Sequence, residues 1–286
     1  MLDAIDMTMT APVAEALEPR LLLSGCGSPM AVDPPGLLAV TRIAVMADPA
    51  LARYASRYAS FASQPLFTDG PQYSDIRQGS LGDCYYLATL ASLADADPST
   101  IRHAIRPLPD GTYLVRFYRN GSPVYVRIDA DLPVTSGGSL VYARLSATGE
   151  MWVPLMEKAY AWFRTGANAY ASIELGWLDE AYASFGHGSL TTYTFAPDAV
   201  LYAALSTGRA AAESRVGASG PIIASHAYAV MAAFNADGAQ YVQVYNPWGT
   251  DGTMYDANPC DGLVMLTFSQ FKVYFTAIVA EAAVTK

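Results

Sequence analysis

"QGSLGDCYYLATLASLAD", Gln78 to Asp95, passes from glycines and an acid into an almost wholly apolar run, with Cys84 at the junction. From Cys84, apolar residues recur at Leu87, Leu90, Ala91 and Ala94, the i, i+3, i+4, i+7 spacing that lines one buried face of a helix. Asp83 stands at the N-cap position, where a short side-chain oxygen satisfies the free amides of a first turn. Gly79 and Gly82 suit a tight loop before the helix, and Asp97-Pro98 marks its end. A thiol at a helix N-terminus feels the positive end of the helix dipole, which lowers its pKa. The same position also suits a small packed cysteine with no chemistry. A partner base decides between the two.

The chain has three histidines. His103 sits among arginines in "STIRHAIRPL", which reads as a short surface helix, and His187 sits between glycines in "SFGHGSL", which reads as a loop. His226 differs, because it opens the β-rich run "SHAYAVMAAF". The turn residues "NADG", Asn235 to Gly238, and a second run, "AQYVQVYNPWG", follow it. Two such runs around an Asn/Asp/Gly turn predict a hairpin. With all four residues in the turn, Phe234 faces Ala239 and His226 falls opposite Pro247. Asn246 is then within one residue of His226 across the ladder, inside side-chain reach. A carboxamide there can hold one ring nitrogen so that the other faces a thiol.

Cysteine, then histidine, then asparagine is the chain order of the papain-like proteases. Four stretches, "DIRQGSLGDCYYLATLASL", "WVPLMEKAYAWF", "SHAYAV" and "NPWG", resemble the signature blocks of the calpain family of cysteine proteases, in a bacterial form. They lie in the family's order across roughly residues 64–272. The resemblance implies an α+β, papain-like two-lobed fold. A helical lobe would carry the nucleophilic cysteine, and an antiparallel β lobe the histidine and asparagine. It also implies an endopeptidase acting on protein or peptide substrates through a thioester acyl-enzyme. In that scheme Cys84 is the nucleophile, His226 the general base and acid, and Asn246 the residue that orients the imidazole. Gln78 matches the oxyanion-hole glutamine, donating alongside the Cys84 backbone N–H. Gly82 matches a substrate-binding position, and Trp248 the tryptophan that shields the His–Asn pair. Two positions depart from the family pattern: Tyr85 replaces the tryptophan after the nucleophile, and Ser225 the glycine before the histidine.

Calcium enters by the same resemblance. Asp75, Glu150 and backbone carbonyls near Thr68 and Gly70 match a first-lobe site whose hard oxygen ligands suit Ca²⁺. A second-lobe site matches in part at Asp256 and Asp261, whereas Leu263 stands where the family has a carboxylate. No EF-hand pattern is present.

Bulk properties frame the reading. The 286 residues are 52% hydrophobic and 15% charged, a balance that favours a folded globule over disorder. A net charge of −9 without any basic run argues against nucleic-acid binding. No stretch of eighteen apolar residues predicts a transmembrane helix. Three cysteines do not make a disulfide framework. The expected division is an N-terminal extension over 1–60, a Cys-bearing lobe over 61–188 and a His/Asn-bearing lobe over 189–286. Within the extension, "LEPRLLLSG" resembles a short motif of large exported bacterial proteins, which suggests export or the cell surface. "LLSGC" at Cys26 resembles a lipoprotein cleavage box, but the acidic residues before it argue against anchoring there. Prolines in 29–36 mark a linker. Two rivals stand beside this reading: a peptide-binding module that keeps the fold without turnover, and an acyltransferase of transglutaminase type that uses the same thioester with an amine acceptor. The second uses aspartate as the third member, so Asn246 favours the protease.

Overall fold

Two dipeptides shape the strand architecture. Asn120-Gly121 and Asp237-Gly238 each place consecutive residues at positive φ, 52° and 75° in the first and 49° and 77° in the second. That backbone gives a two-residue turn the twist of its flanking strands. The computed structural model describes residues 43–187, 190–194, 196–253 and 256–281. The LEPRLLLSG motif, Cys26 and the linker over 29–36 lie outside them.

In chain order the first elements are β1 (Arg57–Ser60), α1 (Cys84–Ala96), α2 (Pro98–Ala104), β2 (Ile105–Pro107), β3 (Tyr113–Arg119), β4 (Ser122–Ile128), β5 (Asp131–Val134), α3 (Trp152–Phe163) and α4 (Leu178–Ala183). The remainder are β6 (Leu190–Tyr193), α5 (Asp198–Leu205), β7 (Ala210–Ser214), β8 (Ala227–Ala236), β9 (Ala239–Tyr245), β10 (Leu263–Thr267), α6 (Phe268–Tyr274) and β11 (Phe275–Glu281). β2, β3 and β4 form a three-stranded sheet, and β1 pairs with β5. The largest sheet runs β10-β9-β8-β7-β11-β6 with every pairing antiparallel. This is the α+β papain-like arrangement, with helices around the cysteine and an antiparallel sheet behind the histidine and asparagine.

The stretch "PVYVRIDADLPV" reads as one strand, but it breaks into β4 and β5, which pair with different partners. The expectation of one buried face on α1 also changes. Tyr85, Tyr86, Ala88, Thr89 and Ser92 are buried along with the periodic positions. The helix packs against β7 and β8 on one side and against α2 and α4 on others, so it is apolar all round because it is surrounded. Its polar groups are satisfied locally: Thr89 donates to Tyr85 O at 3.0 Å, and Tyr182 donates to Ser92 at 2.7 Å. Tyr86 stacks on Tyr160 of α3 with centroids 4.0 Å apart.

Residues 43–60, assigned from sequence to the N-terminal extension, are bound to this body. Met46 N–H donates to Arg127 O at 2.7 Å, and Ser56 N–H to Val134 O at 2.9 Å. The fully buried Lys158 ammonium reaches Asp48 at 2.5 Å, Asp129 at 2.6 Å and Asp131 O at 2.7 Å. Three acceptors and two opposite charges offset the desolvation of that ammonium.

The hairpin that carries the histidine also differs in detail from its prediction. The turn is Asp237-Gly238 alone, with Ala236 facing Ala239. A bulge between Val230 and Ala232 then shifts the register by one, so that Ala229 faces Tyr245. Turn and bulge errors nearly cancel, and Asn246 still arrives beside His226. At the entry to β8, Ser225 adopts φ 52°, the left-handed region that disfavours a Cβ. This is where the family pattern has glycine. Ser225→Gly is expected to stabilise the fold by about 0.5–1 kcal/mol, part of the relief being returned to the freer unfolded chain. Differential scanning calorimetry should show the melting temperature rising by about 1–3 °C, and a fall would contradict this account of the turn.

Candidate active site

The loop before α1 is held from both sides. Tyr245 donates its hydroxyl to Ile76 O at 2.7 Å, Gln78 N–H donates to Pro247 O at 2.8 Å, and Ser80 N–H to Val141 O at 2.9 Å. A Cβ on Gly79 would lie 2.0 Å from Tyr142 O and 2.3 Å from Val141 O, so only glycine fits there. Gly82 has open space around it and lines the cleft, while its carbonyl accepts from Leu175 N–H at 2.9 Å. Cys84 follows as the first residue of α1.

Opposite stands the histidine. His226 is 6% exposed, and its Nε2 lies 2.9 Å from Asn246 Oδ1. The same Oδ1 accepts the Trp248 backbone N–H at 3.0 Å. A backbone N–H can only donate, which identifies the shared atom as the amide oxygen and makes Nε2 the protonated nitrogen. Nδ1 is left as the basic atom. The Trp248 ring lies over the imidazole with centroids 4.9 Å apart, and Tyr228 meets it edge-on at 5.3 Å.

Cys84 and His226 line one cleft of about 700 Å³, together with Gly82, Tyr85, Gly176 and Trp177. Gly176 is pressed against the Tyr85 ring, where a Cβ would sit 2.3 Å away. Tyr85 thus forms cleft wall in the tryptophan's place, with its hydroxyl donating to Ile173 O at 3.1 Å.

The electrostatics correct the sequence reading. The helix N-terminus was expected to lower the thiol pKa, but burial pushes Cys84 up to about 11. A hydrogen bond from the Ala227 backbone opposes that shift, and the nearby charges of Asp83 and Glu213 reinforce it. Burial also lowers His226 to about 4, against the Asn246 hydrogen bond, which raises it. The resting pair is therefore neutral thiol and neutral imidazole.

Asp83 is not a side-chain cap, a second correction. Its fully buried carboxyl turns inward, 3.3 Å from Gln78 Nε2 and in hydrogen-bond contact with Glu157. Burial, and then the neighbouring Asp83 charge, raise Glu157 well above the usual carboxyl range, while the Ala143 N–H at 3.1 Å from each oxygen opposes this. Both causes favour the protonated form of Glu157 beside Asp83. Gln78 Nε2 also donates to Leu81 O at 2.7 Å, so in this arrangement its amide is engaged by Leu81 and Asp83.

The structure brings Asp75 and Glu150 together. Asp75 Oδ2 accepts from Trp152 Nε1 and from Gln72 N–H, each at 2.9 Å. Glu150 Oε1 accepts from the Thr68 N–H and, at 3.2 Å, the Asp69 N–H. Burial raises Asp75 to about 6, with the adjacent Glu150 adding to the shift. Glu150 Oε2 is buried without a hydrogen-bond partner. Two adjoining buried carboxylates and one orphaned oxygen fit a hard cation on donor chemistry. The Arg102 guanidinium lies against Gly70, where a Cβ would meet it at 1.7 Å, so a positive charge already borders the expected carbonyl ligands. Among the described residues, no three of His, Cys, Asp and Glu group as metal ligands. In the second lobe, sequence reading missed Asp251, whose two buried oxygens lack partners. Burial and then Asp256 and Asp261 raise it to about 6. No motif singles it out, because its burial comes from the fold.

The neutral pair has a kinetic signature. With a thiol near 11, only ~10⁻⁴ of Cys84 is thiolate at pH 7, and that fraction grows tenfold per pH unit. His226, neutral above pH 4, supplies no cation to hold a thiolate at lower pH. Iodoacetamide alkylation of Cys84, followed by mass spectrometry with Cys260→Ser as background, should accelerate steadily from pH 6 to 10. A rate plateau across pH 5–8 would instead reveal a preformed thiolate–imidazolium pair.

Comparisons with known proteins identify the family. The family described as "Calpain family cysteine protease" matches residues 53–262. Calpain-type cysteine protease ADL1 of Oryza sativa subsp. japonica is 29% identical over 215 residues, which is 67% of this chain and 10% of that protein. Human Calpain-9 is 28% identical over 253 residues, covering 73% of this chain and 36% of that protein. The Calpain-2 catalytic subunit of Gallus gallus is 30% identical over 217 residues, covering 68% and 30%. The chain thus spans from about a tenth to about a third of the length of these relatives. With a family match over most of its described length, this chain belongs to the calpain family of cysteine proteases.

Proposed function

We propose that the chain is a cysteine endopeptidase in which Cys84, His226 and Asn246 form the catalytic triad. The convergence of Cys84 and His226 on one cleft, with Nε2 held by Asn246 and Nδ1 left basic, is the observation that supports this reading. The Cys84 sulfur attacks the peptide carbonyl carbon while His226 Nδ1 takes the thiol proton. The same nitrogen returns that proton to the leaving amine as the C–N bond breaks, leaving a thioester. Water then attacks the thioester with its proton passing to Nδ1, and the sulfur leaves with a proton as the acid is released. The oxyanion would receive the Cys84 N–H. Gln78 would donate as well, after releasing its bonds to Leu81 and Asp83. Trp248 keeps water from the His–Asn bond.

The resting state favours the rival, a peptide-binding module without turnover: both resting groups are neutral and the Gln78 amide is held by Leu81 and Asp83. Turnover of a denatured protein such as casein decides between them. Cys84→Ala should abolish cleavage with the fold intact, and Gln78→Ala should lower kcat by roughly 10²–10³-fold. Equal turnover by Cys84→Ala and the wild type would remove the peptidase reading.

Calcium is proposed at Asp75 and Glu150, with carbonyl oxygens of Thr68 and Gly70 completing the set. The ion would neutralise two buried carboxylates, one of which, Asp75, lies three residues before Gln78, and so steady the loop that leads to Cys84. Calorimetric titration of Ca²⁺ into the Cys84→Ala protein should show one weak site, about 10⁻⁴–10⁻³ M. That site should disappear when Asp75→Ala is added. Absence of heat in the parent, with full turnover by the wild type in chelator, would refute the site.

A further inference from the structure

The cleft holds one carboxylate that the proposed chemistry does not use. Glu213, on β7, is half-buried and lines the cleft together with Cys84 and His226. Its cross-strand partner is Ala227, the residue after His226, which lines the same cleft. Glu213 is therefore one strand spacing from the segment that follows His226. It also lines an adjoining cavity of about 320 Å³, reached past Trp177 and walled by Leu178, Thr192, Ala277 and Val279. The exposed Asp179 borders that cavity too.

Glu213 makes no hydrogen bond or ion pair among the described residues. Arg215, two residues on, faces the same cleft, but its guanidinium donates to Lys272 O at 3.3 Å. A carboxylate withdrawn from water among apolar walls is unfavourable unless a cation meets it. Burial, and then Asp179, raise the Glu213 carboxyl above its ordinary range, which registers that lack of a partner. A polypeptide lying in the cleft beside Cys84 can supply the cation. Lysine and arginine carry an apolar stem long enough to run along an indole face, with the charge at its tip.

We propose that Glu213 is a specificity-determining residue that receives a lysine or arginine side chain of the bound polypeptide, its stem packed on Trp177 and its charge on the Glu213 carboxylate. The inference rests on the peptidase reading only in taking the cleft as the place where a polypeptide lies. Arginine gains more than lysine, because its planar fork can meet a carboxylate with two parallel hydrogen bonds. A substrate carboxylate at the same place meets repulsion, so acidic residues are excluded there.

The test uses otherwise identical fluorescein-labelled peptides carrying arginine, leucine or glutamate at each position in turn. Their binding to Cys84→Ala protein is measured by anisotropy, and their cleavage by wild type as kcat/KM. At one position arginine should exceed leucine, and leucine exceed glutamate. Glu213→Leu should lower the arginine-to-leucine ratio by about 10–100-fold. The nearly isosteric Glu213→Gln should lower it in the same direction, which guards against a misfolded leucine variant. Glu213→Arg should turn the preference toward glutamate. Selective binding lost on Glu213→Gln supports the subsite even if wild type cleaves nothing, a result that would remove only the peptidase reading. Cleavage with the same arginine-to-leucine ratio in wild type, Glu213→Gln and Glu213→Leu overturns the subsite and leaves the peptidase standing.

Discussion

The site depends on one hydrogen bond whose polarity is not negotiable. The Trp248 N–H can only donate, so the Asn246 atom that meets it is oxygen, and the imidazole nitrogen on that same oxygen carries the proton. Nδ1 is thereby the nitrogen left without a proton. Around this bond the turn closes on itself. Asn246 N–H donates to Gly262 O at 2.8 Å, and Gly249 N–H returns to Asn246 O at 2.9 Å. Gly249 adopts φ 71°, and a Cβ on Gly262 would press to 3.0 Å from Asn246 O. The loop before Cys84 hangs on the same segment through Gln78 to Pro247 and Tyr245 to Ile76. His226 and Cys84 are thus located relative to each other by backbone bonds between two distant stretches of chain, as well as by packing.

Much of this was legible because it rests on local rules. Asn-Gly and Asp-Gly turns announce hairpins by their backbone demands, and the run after Cys84 announces a helix by its spacing. The contact between His226 and Asn246 survived an error of detail, since the turn is shorter than the four residues assigned to it and a bulge shifts the ladder back by one. Burial of the ionisable groups was not legible. Asp83 looks like a cap when only its neighbours in sequence are seen. It becomes a partner of Glu157 and Gln78 because α3 is packed against it. Glu213 and Asp251 belong to no recognisable pattern, and each gains its interest from what surrounds it in space. The spacing of residues reports on backbone geometry, whereas the charge state of a buried group is set by the whole fold.

The resting electrostatics oppose the ion pair that a thiol protease needs. Burial raises the thiol and lowers the imidazole, and both shifts disfavour moving a proton from sulfur to nitrogen. A site built in this way gains protection from stray alkylation and oxidation, since the thiolate is the reactive form. As a peptidase it would then rely on the substrate to change the balance. The attacked carbonyl would accept the charge that the sulfur gives up, and donors aimed at that oxygen would stabilise it where water is excluded.

Glu213 joins this balance to recognition. Burial is the chief cause of the high thiol pKa, but the Glu213 charge adds to it. A cationic side chain seated on Glu213 cancels that contribution and brings a positive charge near the sulfur. Both effects favour the thiolate. The residue that selects the side chain would then also ease deprotonation of the nucleophile, and would do so only when the matching substrate is in place. A leucine in the same position fills the space without touching the charge, so discrimination would appear in the chemical step as well as in binding. The short path from Glu213 through the β7–β8 ladder to Ala227 makes such coupling a matter of through-space electrostatics, with no conformational relay required.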